Sequence, residues 1–481
     1  MLIWTKERGS IMPYQTVNPF TNETVRTYDY ATAEQIDRAL DVSHRLYLQW
    51  KTQNIADRAK LLRDIASALR TNQDELARVA TLEMGKLFRE SRGEVELCAV
   101  IADYFADHGA ELLAPAALDT RATGSARILK QSTGVVLAVE PWNFPYYQIM
   151  RVFAPNFMVG NPLMLKHASN TPGAALAFED LVKRAGAPSG SLTNLFLAYD
   201  QVGSVIADPR VQGIALTGST RGGTAVAQEA GKNLKKNSME LGGSDAFIVL
   251  ADADVTKAVE LAWRTRLYNA GQVCTSSKRF IVADSLYDEF IEGLKKKFST
   301  LVPGDPMDKG TTLAPLSSQK AKRKIQSQID AAIAAGAHVE YGNTPIDMPG
   351  QFLEPTILTE IDRDNPAYSQ EMFGPVAQVY RAADDDVALA LANDGELGLG
   401  GIVYSGDLSH GERVAERIES GMVFVNTFLS SLPELPFGGI KASGYGRELS
   451  SLGLMAFVNE KLVLTAQEPD FANGVGALAI M

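Results

Sequence analysis

The stretch GVVLAVEPWNFPYYQIMRVFAPNFMVGNPLMLK, residues 134–166, decides the fold. Its apolar run Val135–Val139 predicts a buried strand, a helical pattern begins near Tyr147, and the run Pro162–Leu165 predicts a second strand. A strand, a helix and a strand in this order form a right-handed crossover, which makes the two strands parallel. The surrounding chain is therefore expected to be an α/β protein.

Strand and helix patterns continue to alternate after this unit. The further strands predicted are Leu195–Leu197, Gly213–Leu216, Met239–Leu241, Ala246–Leu250 and Arg279–Val282, and the helices between and after them are Pro172–Arg184, Gly223–Leu234, Val255–Tyr268 and Tyr287–Phe298. The first hundred residues show amphipathic helical patterns instead, with a capping box that begins at Thr32. We expect a parallel sheet covered by helices on both faces, followed by a second α/β domain.

The composition excludes several classes of protein. The chain has 481 residues, which suits two or three domains, and its net charge of −11 argues against nucleic-acid binding because a phosphate backbone needs a basic surface. No apolar run reaches the about 18 residues of a membrane span. Two cysteines and five scattered histidines argue against a disulfide framework and a metal site, and they favour a reducing cytoplasm.

The two cysteines receive different interpretations. Cys98 lies inside a helical pattern, between Leu97 and Ala99, and is interpreted as a core residue. Cys274 lies within residues 269–279, in a loop expected between a helix and a strand, where a side chain can be exposed as a nucleophile. From this segment alone, a reactive cysteine and a small buried residue are equally open.

Two polar side chains next to predicted strands are candidates for catalysis. Glu240 is followed by two glycines, and burial could raise its pKa enough for a general base; an ion pair with Lys235 or Lys236 is the alternative. Asn143 lies in a turn that two prolines make stiff. A rigid side-chain amide suits an oxyanion site, although an ordinary turn asparagine fits the pattern equally well.

A dinucleotide site is indicated by two further segments. The run TGSTRGG, residues 217–223, follows a predicted strand and opens a helix, where free backbone amides bind phosphate; it lacks the GxGxxG pattern, and Ser219 also fits a plain helix cap. Lys166 ends a predicted strand and can bond ribose hydroxyls. Ser169 does not repel a 2′-phosphate as a carboxylate would, which favours NADP over NAD.

Together, these segments resemble the aldehyde dehydrogenase superfamily from about Val17 to Val463. The segments in family order are PWNFP (141–145), TGS (217–219), ELGG (240–243), GQVC (271–274), EMFGPV (371–376) and PFGGIKASG (436–444). The resemblance implies that Cys274 is the nucleophile, Asn143 the oxyanion donor, and Glu240 the base that activates water to hydrolyse a thioester. The cofactor positions are Trp142, Lys166, Ser169, Thr217, Gly218, Ser219, Leu241, Glu371 and Phe373.

The family fold implies two interlaced Rossmann-type parallel-sheet domains and a small β flap for oligomerisation. The expected ranges are 12–124 and 134–245 for the cofactor-binding domain, 246–445 for the catalytic domain, 125–133 and 455–466 for the flap, 1–11 for a leader and 467–481 for a tail. A homodimer or homotetramer is expected.

Within the family, residues 140–151 and 269–279 most resemble bacterial succinate semialdehyde dehydrogenases. Arg151, two helical turns after Asn143, would hold a distal substrate carboxylate together with Ser431; an ion pair with a partner helix is the alternative. We expect oxidation of succinate semialdehyde to succinate. Glutarate semialdehyde and lactaldehyde are alternative substrates, and a non-enzymatic binding protein and a thiol esterase are alternative classes.

Overall fold

Two helix-covered sheets form most of the molecule. The computed structural model describes residues 14–428 and 431–467. Across the six-stranded sheet, the strands are Gly444–Tyr445, Lys236–Glu240, Val211–Thr217, Val135–Val139, Leu163–Lys166 and Leu192–Asn194. All run parallel except the edge strand Gly444–Tyr445. The unit over residues 134–166 therefore contributes two adjacent parallel strands, as the sequence predicts.

The seven-stranded sheet is built from the second half of the chain. Its strands, in order across the sheet, are His338–Tyr341, Thr356–Thr359, Val376–Ala382, Ser277–Ala283, Asp245–Val249, Gly400–Tyr404 and Met422–Val425. The first of these is antiparallel and the others are parallel. Because the late strand Gly444–Tyr445 returns to the six-stranded sheet, the two halves of the chain are interlaced, as expected.

Helices cover both faces of the sheets. Their bounds are Ala33–Trp50, Ile55–Thr71, Gln73–Met84, Phe88–Leu112, Tyr147–Val159, Pro172–Arg184, Tyr199–Ala207, Thr220–Lys232, Val255–Leu267, Tyr287–Phe298, Gln319–Ala334, Pro366–Ser369, Asp385–Asn393, Leu408–Ala415 and Ser450–Met455. On the strand Val135–Val139, Val136 and Ala138 join one apolar cluster, whereas Val135 and Leu137 join another. Successive side chains of a strand point to opposite faces, so each face has its own core.

Most predicted elements are confirmed, and one strand is wrong. The capping box is present: Thr32 Oγ1 accepts from Gln35 N at 3.2 Å, and Gln35 Oε1 accepts from Thr32 N at 2.8 Å. The strand predicted at Leu195–Leu197 lies instead at Leu192–Asn194. Leu195 and Leu197 are apolar because they pack in the core after the chain has left the strand.

Three small antiparallel sheets complete the fold. One joins Ala116–Leu118, Ser125–Ser132 and Val458–Thr465, and the others pair Tyr14–Val17 with Thr24–Tyr28 and Leu397–Gly398 with Ile440–Lys441. None of the helices in the described part of the chain is long and apolar enough to cross a membrane. The predicted leader lies outside the described residues, and so does the predicted tail from residue 468 onward.

Candidate active site

The loop that carries Cys274 turns sharply. It follows the helix Val255–Leu267, and its residues 269–271 have positive φ angles of 52°, 50° and 75°. At Gly271 an added Cβ would lie 2.4 Å from the carbonyl oxygen of Gly374, so a side chain has no room there. The turn leaves Cys274 half-buried.

Two buried cations hold this loop in place. Arg266 donates to the carbonyl oxygen of Gly271 at 3.0 Å and to Ser276 Oγ at 2.9 Å. Lys278 Nζ donates to the carbonyl oxygen of Cys274 at 2.7 Å. Charge-assisted bonds to carbonyls are stronger than neutral ones, so the backbone around the nucleophile is fixed before substrate arrives.

The thiol of Cys274 is neutral at rest. Burial raises its pKa to about 11, and the nearby charges of Arg151 and Lys278 oppose this increase. A thiolate is the reactive form of cysteine, so attack requires a base or further positive charge. Cys98 is fully buried inside the helix Phe88–Leu112, which confirms its interpretation as a core residue.

The Asn143 side chain is fixed against the nucleophile loop. Its Nδ2 donates to the carbonyl oxygen of Gln272 at 3.1 Å, and the backbone carbonyl oxygen of Asn143 accepts from Asn269 Nδ2 at 2.9 Å. An amide nitrogen carries two hydrogens, and among the described residues only this one bond uses Asn143 Nδ2. The second N–H is therefore available to a developing oxyanion.

The buried ion pair of Lys86 and Glu94 stabilises the turn that contains Asn143. Glu94 Oε1 accepts from the backbone N–H groups of Tyr146 and Tyr147, at 2.7 and 3.0 Å, and so caps the helix that starts there. Lys86 Nζ pairs with Glu94 at 2.5 Å and lies 3.8 Å from the ring centroid of Phe144. The rigidity that the two prolines predict is thus reinforced by charge.

Glu240 ends its strand in a buried position beside Gly438. A Cβ on Gly438 would lie 2.6 Å from Glu240 Oε1, so the glycine makes room for the carboxyl. Burial and Glu448 raise the pKa of Glu240 well above its usual range, while Arg151 opposes this. Because Arg151 also acts on Cys274, one guanidinium lies near both the nucleophile and the candidate base. Among the described residues neither Lys235 nor Lys236 pairs with Glu240, since their ammonium groups donate to backbone carbonyl oxygens instead.

Arg151 takes part in a buried ion pair, and its contact with a substrate carboxylate stays a prediction. Its guanidinium pairs with the Glu448 carboxylate, donates to Thr217 Oγ1 at 2.9 Å and lies 4.3 Å from the ring centroid of Phe437. The Arg151 side chain is fully buried. The ion pair is the alternative that the sequence left open, although Glu448 lies just before the helix Ser450–Met455 and not on it.

Ser431 lies beside Tyr147. The two side chains share a hydrogen bond, and the Tyr147 hydroxyl also accepts from Arg151 Nη1 at 3.5 Å. The ring of Phe144 contacts the rings of Tyr147 and Tyr268, with centroid distances of 6.1 and 5.7 Å. Tyr147 therefore links Arg151 to Ser431, the two residues that the sequence assigned to the substrate.

One end of the candidate cofactor site is formed by Lys166 and Ser169. Lys166 Nζ lies 5.6 Å from the Tyr14 ring centroid and 5.3 Å from that of Tyr199, and burial lowers its pKa to about 8. Ser169 is half-buried, and its carbonyl oxygen accepts from Gln15 N at 2.8 Å. Within the described residues Lys166 has no carboxylate partner, which fits a hydroxyl or phosphate ligand.

The other end of this site adjoins the nucleophile loop. Glu371 Oε1 accepts from Gly243 N at 3.2 Å and pairs with Lys278 Nζ at 3.3 Å. The rings of Phe373 and Trp142 meet edge to face at 5.8 Å. The predicted nicotinamide-side residues are thus together, and Lys278 links Glu371 to the backbone of Cys274.

Between the two ends, a helix N-terminus provides free amides. The helix Thr220–Lys232 is capped by Ser219, whose Oγ accepts from Gly222 N at 3.2 Å, and Ser219 is exposed. Gly218 N donates to the carbonyl oxygen of Glu240 at 2.9 Å. An uncovered N-terminus, a partly desolvated amine and a fixed carboxylate fit the phosphates and riboses of a dinucleotide.

Two predicted cofactor residues have other contacts. The Thr217 hydroxyl bonds to Arg151. Leu241 is buried against Gly223, where an added Cβ would lie 2.4 Å from Leu241 Cδ2. Both residues therefore affect the candidate cofactor site through their contacts with other protein residues.

Sequence reasoning missed several residues that assemble the site. Gln272 and Lys278 lie in the segment 269–279 that contains Cys274. The use of the Gln272 backbone carbonyl as an acceptor and the burial of Lys278 leave no pattern in a single sequence, so their roles were not predicted. Glu94 and Glu448 act across long chain separations on partners that only the fold brings near.

Comparison with known proteins gives one consistent result. The family model described as the aldehyde dehydrogenase family matches residues 4–463. A succinate-semialdehyde dehydrogenase [NADP(+)] from Deinococcus radiodurans is 48% identical over 460 residues, which cover 95% of this chain and 96% of the relative. A protein of the same name from Mycobacterium avium is 42% identical over 455 residues, covering 94% and 96%.

A solved structure agrees in fold and sequence. The crystal structure of succinic semialdehyde dehydrogenase from Streptococcus pyogenes in complex with NADP+ matches with a TM-score of 0.93 and 55% identity, covering 94% of this chain and all of the other.

Proposed function

The chain belongs to the aldehyde dehydrogenase family, and from that premise we propose that it oxidises succinate semialdehyde to succinate with NADP+. Family membership sets aside the binding protein and the thiol esterase that the sequence left open. The observation that carries the proposal is the bond between the Asn143 amide and the carbonyl of Gln272, because it holds an oxyanion donor beside the loop of Cys274.

The first step is attack by Cys274 on the aldehyde carbon. The thiol gives its proton to solvent, its sulfur forms a bond to the carbon, and the carbonyl electrons move to oxygen. The free N–H of Asn143 and the backbone N–H of Cys274 are donors for that oxyanion. Fixed donors of this kind stabilise the transition state more than the ground state.

The second step leaves a thioester on Cys274. Lys166, the helix N-terminus at Ser219 and Glu371 would hold NADP+, which would supply the acceptor for the hydride that leaves the adduct carbon. Lys278 bonds to both Glu371 and the carbonyl oxygen of Cys274, so it fixes the position of this cofactor residue relative to the nucleophile loop.

Hydrolysis of the thioester completes the cycle. Glu240 takes a proton from water, the hydroxide adds to the thioester carbon, and the sulfur of Cys274 leaves as the carboxylic acid forms. A carboxylate with a raised pKa suits this role, because a stronger base accepts the proton more readily. The same glutamate argues against transfer of the acyl group to coenzyme A.

The choice of NADP over NAD is supported by position 169 and by the relatives. Ser169 brings no negative charge to Lys166, so a 2′-phosphate is not repelled there. The Deinococcus radiodurans and Mycobacterium avium relatives carry NADP(+) in their names.

A second candidate substrate follows from the position of Arg151. Its guanidinium pairs with Glu448, and the hydroxyls of Tyr147 and Ser431, which share a hydrogen bond, are then the groups left for the distal end of a substrate. Neutral hydroxyls bind a carboxylate more weakly than a guanidinium does. A small neutral aldehyde such as lactaldehyde is therefore the alternative, and glutarate semialdehyde tests the permitted chain length.

We also propose that the chain forms a homodimer or homotetramer in the cytoplasm. In the three-stranded sheet, Leu118, Leu462 and Leu464 are 44%, 60% and 51% exposed, and a second copy would cover them. Cys98 and Cys274 are both free thiols, which suits a reducing compartment. Analytical ultracentrifugation should show a species larger than one chain.

An aldehyde panel tests the proposed function. The purified protein is supplied with succinate semialdehyde, glutarate semialdehyde or lactaldehyde, each with NADP+ and with NAD+, and cofactor reduction is followed by absorbance. The highest kcat/KM is expected for succinate semialdehyde with NADP+. A higher kcat/KM for lactaldehyde would make lactaldehyde the substrate in place of succinate semialdehyde. If no aldehyde led to cofactor reduction, the proposed activity would be rejected.

A further inference from the structure

Three buried carboxyl groups surround one guanidinium behind the candidate site. Glu140, Glu240, Glu448 and Arg151 are 3%, 1%, 4% and 0% exposed. Glu448 pairs directly with Arg151, and Arg151 donates to Thr217 Oγ1 at 2.9 Å. We call Glu140, Glu240, Glu448 and Arg151 the acid cluster.

The charges of the acid cluster do not balance if every group is ionised. A further cation, the half-buried Arg447, adjoins Glu240 at Gly438: a Cβ on Gly438 would lie 2.6 Å from Glu240 Oε1 and 2.9 Å from Arg447 Cδ. Three carboxylates would then face two guanidinium groups. An uncompensated buried charge is costly, so one carboxyl group retains its proton instead.

Glu140 is the least compensated of the three. Glu448 has Arg151 as a direct partner, and Glu240 faces Arg151 and Arg447. Glu140 faces Glu448, Arg151 and Glu240 as charged groups, and both Arg151 and a hydrogen bond with the Thr217 hydroxyl act to lower its pKa. Burial and Glu448 raise the pKa of Glu140 well above its usual range.

We propose that Glu140 is a positioning residue that keeps a proton at neutral pH and thereby leaves Glu240 ionised as the base. With Glu140 neutral, the carboxylates of Glu240 and Glu448 balance Arg151 and Arg447. The proton of Glu140 stays in the O–H bond beside Thr217 and is not consumed in the reaction. The inference rests on the proposed function, since it concerns how Glu240 is prepared for thioester hydrolysis.

Infrared difference spectroscopy tests where the proton lies. Glu140→Gln is compared with the wild type at neutral pH, in the full-length protein without substrate. A glutamine is neutral and has the shape of a protonated glutamate, so the variant is expected to fold. The difference spectrum should show the loss of one carboxylic-acid C=O band. Loss of a carboxylate band instead would overturn the proposal.

Glu448→Gln is the matched control. It removes the carboxyl that pairs with Arg151, so its difference spectrum should lose a carboxylate band and keep the acid band of Glu140. If Glu448→Gln does not fold, Glu140→Gln alone still decides the question.

Kinetics of Glu140→Gln provide the second readout. A neutral side chain at 140 should leave KM, the burst of NADPH and kcat at neutral pH within about threefold of the wild type. A folded variant with a full burst but a kcat lowered about a hundredfold or more would show that an ionised Glu140 is needed, and would overturn the proposal. A wild type without aldehyde oxidation would reject the proposed function, while the infrared result would still locate the proton.

Discussion

The side-chain amide of Asn143 donates a hydrogen bond to the backbone carbonyl of Gln272, at 3.1 Å. Gln272 is itself fixed, because its Oε1 accepts from Ser317 N at 2.9 Å. The carbonyl stands two residues before Cys274, so one bond sets the separation between the oxyanion donor and the nucleophile loop. The reaction centre is thus organised before substrate binds, and reorganisation adds little to the barrier.

Replacing Asn143 by alanine should slow catalysis more than it weakens the fold. Loss of one oxyanion donor typically lowers kcat by about 10²–10³, whereas one lost hydrogen bond changes stability by about 1 kcal/mol. Steady-state kinetics and thermal unfolding measure the two effects. Asn156→Ala is the control, because Asn156 is buried and donates to the carbonyl of Val152 at 2.9 Å. Equal losses of kcat in both variants would contradict the role of Asn143.

Replacing Arg151 should destabilise the protein and act on all aldehydes alike. Arg151→Met leaves Glu448 buried without a partner, which typically costs about 3–5 kcal/mol. Chemical unfolding measures that loss, and Glu448→Met added to Arg151→Met should recover much of it. If Arg151→Met instead keeps its stability and raises KM for succinate semialdehyde far more than for lactaldehyde, Arg151 holds the substrate carboxylate after all.

Introducing a carboxylate at position 169 should shift the choice of cofactor. Ser169→Glu places a negative charge near Lys166, where it repels a 2′-phosphate and can accept from a ribose hydroxyl. The ratio of the Kd values for NADP+ and NAD+, measured by fluorescence titration, should move toward NAD+ by about tenfold or more, equivalent to about 1.4 kcal/mol. Ser169→Ala is the control and should leave the ratio nearly unchanged. An unaltered ratio in Ser169→Glu would refute this account of position 169.

Alkylation of Cys274 should keep accelerating at alkaline pH. The thiol pKa of about 11 means that the thiolate fraction is small at neutral pH and rises about tenfold per pH unit below that value. The rate of iodoacetamide labelling of the free enzyme measures this fraction, with Cys98→Ser as the background in which Cys274 is the one remaining thiol. A rate that levels off near pH 8 would show a thiolate already formed at rest.

Local patterns were sufficient for the parts of the fold that depend on short stretches of chain. The βαβ unit at 134–166 and the helix Tyr287–Phe298 were predicted because apolar periodicity records which face is buried. The strand Leu192–Asn194 was misplaced because Leu195 and Leu197 are apolar for packing alone. Burial shows in a sequence, but hydrogen-bonded pairing does not.

The candidate site was predictable where chemistry is confined to one motif, and not where charges meet from different segments. Cys274, Asn143 and Glu240 each stood in a recognisable segment. Glu448, the partner of Arg151, did not lie in a recognisable segment. It reaches Arg151 only because the chain returns after the strand Gly444–Tyr445. Ion pairs between distant segments depend on the whole fold, and a lone arginine on a helical pattern is compatible with either a ligand or a partner.

The most direct test of the central claim is the intact mass of Glu240→Gln after reaction with succinate semialdehyde and NADP+. Without the base, Cys274 should still be acylated but the thioester should hydrolyse slowly. The account predicts one equivalent of NADPH and one succinyl group, located on Cys274 by peptide mapping and absent from Cys274→Ser. An unmodified Cys274, with NADPH formed at the wild-type rate, would contradict it.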